Sequence, residues 1–274
     1  RGKKTADYIN TGEWSKKAIK EARKFCGVNV AATSESTHFS TVPPQKEWKL
    51  DPDAAYLHYT PNETIGGVEF SFVPQPGNVP LVADMSSTIL SRPMDVSKFA
   101  VIYAGAQKNI GPAGMTMVIV REDLIGHAPA DTPSMFDYKI HADSASMNNT
   151  PPTYAWYVAG LVFDWLKKKG GLQGMAEINQ RKADKLYAFI DASGGFYKNP
   201  VEKHSRSWMN VPFTLKDAAL DEPFLKGAKA AGLVQLKGHR SVGGMRASIY
   251  NAMPEAGIDA LINYMQDFMK KQSY

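Results

Sequence analysis

The sequence predicts an α/β fold. It reads as a large domain built on a mainly parallel central sheet flanked by helices, followed by a smaller C-terminal α/β domain. Three observations carry this reading. Short apolar runs recur between residues 5 and 120, several of them continuously apolar, as strands buried on both faces of a parallel sheet should be. Turn-forming words separate them, among them Pro43-Pro44, Gly66-Gly67, Pro76-Gly77 and Pro112-Ala113-Gly114. After Pro151-Pro152 the pattern changes to long helical stretches alternating with single strand-like runs.

Taken in order, residues 5–10 read as a strand and 14–25 as a helix, with Trp14, Ala18, Ala22 and Phe25 on one face. Strands are expected over 28–32, 55–59, 68–73, 79–83, 99–104 and 115–120. A helix over 154–169 is ended by Gly170-Gly171, and a second runs over 172–192. Then come a strand over 208–215, a helix over 218–231, a strand over 245–250 and a helix over 255–271. Pro254 stands at the start of the last helix, where its fixed φ is favourable. The expected division is a large domain over 1–165 and a smaller one over 166–274.

Composition narrows the function. The 274 residues are 43% hydrophobic and 22% charged, ordinary for a globular protein, with a net charge of +5. No apolar run approaches the roughly 20 residues needed to cross a bilayer, and the basic start, Arg1-Gly2-Lys3-Lys4, leads into no apolar signal core. The single cysteine, Cys26, can form no intrachain disulfide, in keeping with a reducing compartment. These features predict a cytoplasmic protein with no membrane partner. No cluster of Lys and Arg interleaved with aromatics points to nucleic acid. The six histidines are scattered without HExxH or CxxC spacing, so no metal site is expected. GxGxxG and Walker loops are absent, and Gly238-His239-Arg240-Ser241-Val242-Gly243 misses the GxSxG elbow.

The stretch from Pro80 to Gly114 holds the chemistry that remains. Asp84 ends the apolar run Leu81-Val82-Ala83, and Lys108 follows Val101-Ile102-Tyr103-Ala104 after Gly105-Ala106. Carboxyl ends of parallel strands form the ligand crevice of such sheets, so both groups would emerge on one edge. A lysine amine paired with an aspartate is what pyridoxal 5′-phosphate (PLP) requires, the amine for covalent attachment and the carboxylate to keep the ring nitrogen protonated. The plainer alternative is a turn-capping Asp84 and a solvated Lys108, and on spacing alone it is the stronger of the two.

Longer words shift that balance. Ala83-Asp84-Met85-Ser86-Ser87 and Tyr103-Ala104-Gly105-Ala106-Gln107-Lys108-Asn109-Ile110-Gly111-Pro112-Ala113-Gly114 closely resemble the phosphoserine aminotransferase family, class V-type enzymes of the fold-type I PLP transferases. Thr11-Gly12-Glu13-Trp14-Ser15, Pro61-Asn62-Glu63-Thr64-Ile65, Asn149-Thr150-Pro151-Pro152-Thr153 and the run from Gly238 to Ser248 extend the resemblance along essentially the whole chain. The resemblance implies Lys108 as the Schiff-base lysine and proton shuttle, Asp84 on the pyridine nitrogen, Trp14 stacked on the ring, Thr64 on the phenolic oxygen and Gln107 on the phosphate. Asn149 and Thr150 would reach the cofactor phosphate of a second subunit in a homodimer. Arg246 would take the substrate α-carboxylate, and His239 and Arg240 the distal phosphate or carboxylate, groups that guanidinium forks bond bidentately. Plainer readings stand beside several of these: Trp14 as a helix core residue, Thr64 as a turn residue, Asn149-Thr150 as a helix entry, and His239-Arg240 as a surface loop.

The activity implied is ping-pong transamination. L-glutamate and 3-phosphohydroxypyruvate are converted to 2-oxoglutarate and O-phospho-L-serine in serine biosynthesis, and in some bacteria a related step serves pyridoxine biosynthesis. Family members carry an N-terminal portion absent from this sequence, with a Gly-rich loop and a His-Arg pair for the distal anion, so a chain limited to these residues is expected to hold PLP weakly. The rivals are another class V-type PLP enzyme, such as a cysteine desulfurase or alanine–glyoxylate aminotransferase, and a catalytically silent fragment. Gln107 argues against the desulfurase, whose usual residue there is His, and His239-Arg240 argues for a phosphorylated substrate.

Overall fold

A computed structural model describes residues 2–272. The chain opens with β1 (Thr5–Asn10), α1 (Glu13–Ala22), β2 (Gly27–Thr33) and β3 (Leu57–Tyr59). A small hairpin follows, β4 (Asn62–Glu63) and β5 (Val68–Glu69), then β6 (Leu81–Asp84), β7 (Val101–Gly105) and β8 (Thr116–Val120). Helices α2 (Tyr138–Asp143), α3 (Thr153–Lys168) and α4 (Gly171–Asp191) lead to β9 (Tyr197–Lys198), β10 (Asn210–Leu215), α5 (Asp221–Ala230), β11 (Met245–Ser248) and α6 (Glu255–Lys271).

The main sheet has the order β2-β1-β3-β6-β7-β8. Every pairing in it is parallel except β7 with β8. Parallel register sets Asp84 opposite Tyr103, so β6 and β7 end on the same edge. Segments leaving β1, β3, β6 and β7 therefore meet there: the turn into Trp14, the turn into Thr64, Asp84 itself, and the turn carrying Lys108. The core beneath is built from Ile9, Leu57, Tyr59, Leu81, Ile102, Ala104 and Ile110, with Ala159 and Phe163 of α3 packed against it.

A second core lies among α4, α5, α6 and the antiparallel sheet β11-β10-β9. It joins Leu186 and Ile190 to Phe213, Phe224, Met245 and Met265. The two halves are fastened by polar bonds. Asn62 Nδ2 donates to Asn210 Oδ1 at 2.9 Å, and the Trp208 amide to Glu69 Oε2 at 2.7 Å. The Asn251 amide donates to Asn109 Oδ1 at 3.0 Å. Backbones approach closely at Gly67, whose φ of +71° suits glycine and where a Cβ would come within 2.3 Å of Pro212 Cδ.

Several expectations need correction. Phe25 lies beyond α1 and is 87% exposed. The buried residues of α1 are Ser15 and Ile19, and Ala18 and Ala22 pack beside Ile19, so of the expected face Ala18 and Ala22 hold while Trp14 and Phe25 are exposed. The expected strand over 68–73 is only the two-residue β5. β8 is an edge strand with Val118 and Ile119 exposed, not a buried one; its apolar run reflects β propensity rather than burial on both faces. α2, β4 and β9 were not foreseen, being too short to show a period. No helix among the described residues is long and apolar enough to cross a membrane.

Candidate active site

Lys108 lies three residues past β7, half-buried. Its Nζ donates to Thr64 Oγ1 at 2.8 Å. The Trp14 ring lies beneath it, with Nζ 5.8 Å from the ring centroid. Burial lowers the proton affinity of the amine and the Arg246 charge lowers it further, against opposing pulls from Asp84 and Glu63. The outcome is an amine more readily deprotonated than a surface lysine, as a nucleophile and base requires.

Asp84 is held rather than free. Its Oδ1 accepts from the Ser86 amide at 3.0 Å and from Ser86 Oγ at 2.7 Å. Ser86 Oγ also accepts from the Gly105 amide at 3.1 Å, tying the ends of β6 and β7 together. On the neighbouring strand His58 bonds the Tyr103 hydroxyl at 2.9 Å and stacks on Tyr8. Burial pushes its pKa down to about 4, only partly offset by the Asp84 charge, so the ring beside Asp84 is neutral at neutral pH.

Arg246 reaches this cluster from β11. One nitrogen, Nη1, donates to the Thr64 carbonyl at 3.3 Å, while its buried Nε has no partner. No carboxylate among the described residues forms a salt bridge with it. A half-buried guanidinium with an unused donor is costly without an anion. Tyr250, four residues on, bonds Asn210 at 3.2 Å, and burial raises the proton affinity of its hydroxyl against opposing pulls from Asn210, Arg246 and Thr64.

Five expected residues thus converge: Trp14, Thr64, Asp84, Lys108 and Arg246. The others stand further out. Gln107 is exposed, its side chain folded over Gly105, where a Cβ would lie 2.6 Å from Gln107 Oε1. His239 and Arg240 are exposed on the loop before β11, with His239 Nδ1 bonded to Ser241 Oγ at 2.7 Å. That loop borders a cavity of about 140 Å³ between Ser241, Val242 and the Gly12-Glu13 turn, so it overhangs the Trp14 side of the cluster. Asn149 and Thr150 are exposed and make no contact with Lys108. Asn149 instead lines a separate cavity of about 600 Å³ with Tyr138 and Trp156. Sequence reasoning missed Ser86, His58, Glu63 and Tyr250. Only Ser86 carried a local signal, an Asp-x-Ser spacing that suits a side-chain turn.

The residues present fit a pyridoxal cofactor. An amine with depressed proton affinity, a fixed carboxylate on the adjacent strand, a hydroxyl bonded to the amine and an aromatic face below are the groups its aldehyde, ring nitrogen, phenolic oxygen and ring would need. The orphaned Arg246 Nε fits the carboxylate of an amino-acid substrate.

Comparison with known proteins agrees. The aminotransferase class-V family matches residues 1–261. The phosphoserine aminotransferase of Acidithiobacillus ferrooxidans is 65% identical over 271 residues, covering 99% of this chain and 75% of that protein. The solved structure of phosphoserine aminotransferase from Bacillus circulans subsp. alkalophilus superposes with a TM-score of 0.97 at 47% identity, over 99% of this chain and 75% of its own. A PLP-bound phosphoserine aminotransferase from Trichomonas vaginalis has a TM-score of 0.90 at 41% identity, over 97% of this chain and 76% of its own.

Proposed function

This chain belongs to the class-V aminotransferases and, among them, to the phosphoserine aminotransferase family, and we propose that it transfers the amino group of L-glutamate to 3-phosphohydroxypyruvate, yielding 2-oxoglutarate and O-phospho-L-serine in serine biosynthesis. The observation that carries the reading is the convergence on Lys108: Thr64 at 2.8 Å, Trp14 beneath, and Asp84 and Arg246 both within electrostatic reach.

PLP, when bound, supplies an electron-withdrawing ring that weakens the substrate Cα–H bond. Lys108 would hold the cofactor covalently, and its amine, once free, would take the proton from the substrate Cα and give it back, acting as base and then acid. Asp84, its Oδ1 fixed by two donors from Ser86, would face the ring nitrogen. Trp14 would stack on the ring and Thr64 would bond the phenolic oxygen. Gln107 would bond the phosphate, and Asn149 and Thr150, both exposed, would reach the phosphate in the second subunit of a homodimer. Arg246 takes the α-carboxylate, and His239 and Arg240 the distal anion. The same site suits the related phosphorylated keto acid of pyridoxine biosynthesis. We place the protein in the cytoplasm, and the domain boundary at residue 165: Ala159 and Phe163 of α3 pack into the first core, and Ala183, Leu186 and Ile190 of α4 into the second.

A coupled assay tests this reading. With PLP and L-glutamate, 3-phosphohydroxypyruvate should yield phosphoserine, while glyoxylate or pyruvate should serve poorly. Preference for glyoxylate would favour a different class-V transaminase, and no turnover by a chain that binds PLP would favour a silent form.

A further inference from the structure

We propose that Glu63, a residue with no role in the scheme above, is a positioning residue of the active site, its carboxylate capping α1 from another element and so setting Trp14 and Thr64 on either side of Lys108.

The geometry is specific. Glu63 sits on β4, fully buried. Its Oε2 accepts from the Trp14 amide at 2.9 Å. Its Oε1 accepts from the Ser15 amide at 2.8 Å and from Ser15 Oγ at 2.7 Å. Those amides belong to the first turn of α1, where donors have no partner within the helix. The residue before the helix is Gly12, which has no side chain to fill that role, so a carboxylate 48 residues away in sequence does so. A buried carboxylate is costly unless bonded; burial raises the proton affinity of Glu63, and the three donors at the start of α1 pull the other way.

Glu63 acts on the site in two directions. Through α1 it fixes the backbone of Trp14, whose ring lies under the Lys108 amine. Through its chain neighbour it fixes Thr64, which accepts from Lys108 Nζ and, by its carbonyl, from Arg246. Gly12 marks how closely the parts are set, since a Cβ there would lie 2.6 Å from Glu63 Cδ and 2.8 Å from Oε2. The charged groups facing Lys108 are Asp84 from β6, Arg246 from β11 and Glu63 itself. Glu63 in turn faces Asp84 and the α1 donors.

The test rests on the PLP reading above, yet one arm is independent of it. Two substitutions are compared with the unaltered chain: Glu63→Gln, which removes the charge and turns a donor toward a donor, and Gly12→Ala, which displaces the carboxylate without removing it. Gly12 has extended backbone geometry, so alanine meets no strain there beyond the Glu63 contact. Both variants should fold and should bind PLP about tenfold more weakly, as the loss of one charge-assisted hydrogen bond implies. In the chain without PLP, Glu63→Gln should let an amine-directed acylating reagent label Lys108 faster at pH 8, by about threefold, because a neighbouring negative charge is gone. Folded variants with PLP affinity within about twofold of the unaltered chain and unchanged Lys108 labelling would overturn the proposal. Failure of both variants to fold would also overturn it, by making the contact a folding requirement. If the unaltered chain takes no PLP, the PLP reading falls and the labelling arm alone decides Glu63.

Discussion

At Lys108, burial and the Arg246 charge act together to lower the affinity for a proton, while Asp84 and Glu63 restrain the shift. The net effect is an amine that gives up its proton more readily than an exposed lysine, as the base step of transamination demands. Arg246 offers the sharpest substitution test at this scale. With Nε unpartnered and Nη1 spent on a backbone carbonyl, most of its bonding capacity awaits an anion. Arg246→Ala should raise the KM for L-glutamate by about 10- to 100-fold, the worth of one or two charge-assisted bonds. PLP affinity should change far less, and steady-state kinetics beside a cofactor titration separate the two. Asp84 and Lys108 were legible in the sequence through the longer words around them, since their placement after apolar strands alone suits a turn and a solvated lysine better. Glu63 was not: the two-residue strand that carries it has no period, and the donors it serves lie far away in the chain. Of the two readings of Trp14, core residue of its helix and partner of the cofactor ring, its exposure and its ring beneath the Lys108 amine fit the second.

Among the elements, α4 shows how a charge can serve packing. Met175, Asn179, Lys182, Leu186 and Ile190 all lie on its buried face. Lys182 is 0% exposed, and its Nζ donates to the carbonyls of Ile249, Tyr250 and Met253 at 3.1, 2.9 and 3.0 Å. It thereby closes the turn after β11, the strand that carries Arg246. Lys182→Met keeps the apolar stem but strands three carbonyls, so stability should fall by roughly 2–4 kcal/mol in urea unfolding. Burial pushes the Lys182 pKa down to about 8 from 10.5. Between those values the unfolded chain holds the extra proton, so stability should rise with pH from about 8 to 10.5. That portion of the rise should be missing in Lys182→Met, measured as unfolding free energy against pH. The four-residue spacing that puts Lys182 on the core face was present in the sequence. It was masked by its charged neighbours Arg181, Asp184 and Lys185, which read together as a solvated surface.

Across the whole molecule, the site exists only because the two cores are held in register. Asn251 is central to that. Its amide donates to Asn109 beside Lys108, its Nδ2 donates to the Leu90 carbonyl at 2.8 Å, and its Oδ1 accepts from Asn179 at 2.8 Å. Asn251→Ala leaves buried groups on both sides unpaired and should cost about 2 kcal/mol. It should also open the junction to limited proteolysis between residues 165 and 210, where the unaltered chain resists. The parallel sheet and the alternating C-terminal elements were legible as strand and helix periods. The junction was not, because it is made of scattered asparagines that no local pattern distinguishes from loop residues. Gln107, His239, Arg240, Asn149 and Thr150 face solvent, outside the Lys108 cluster.

The most direct test of the central claim is borohydride reduction of the PLP-treated chain followed by peptide mapping. The account predicts a single pyridoxyl group on the peptide containing Lys108, and none after Lys108→Ala. A pyridoxyl group on another lysine, or no label at saturating PLP, would contradict it.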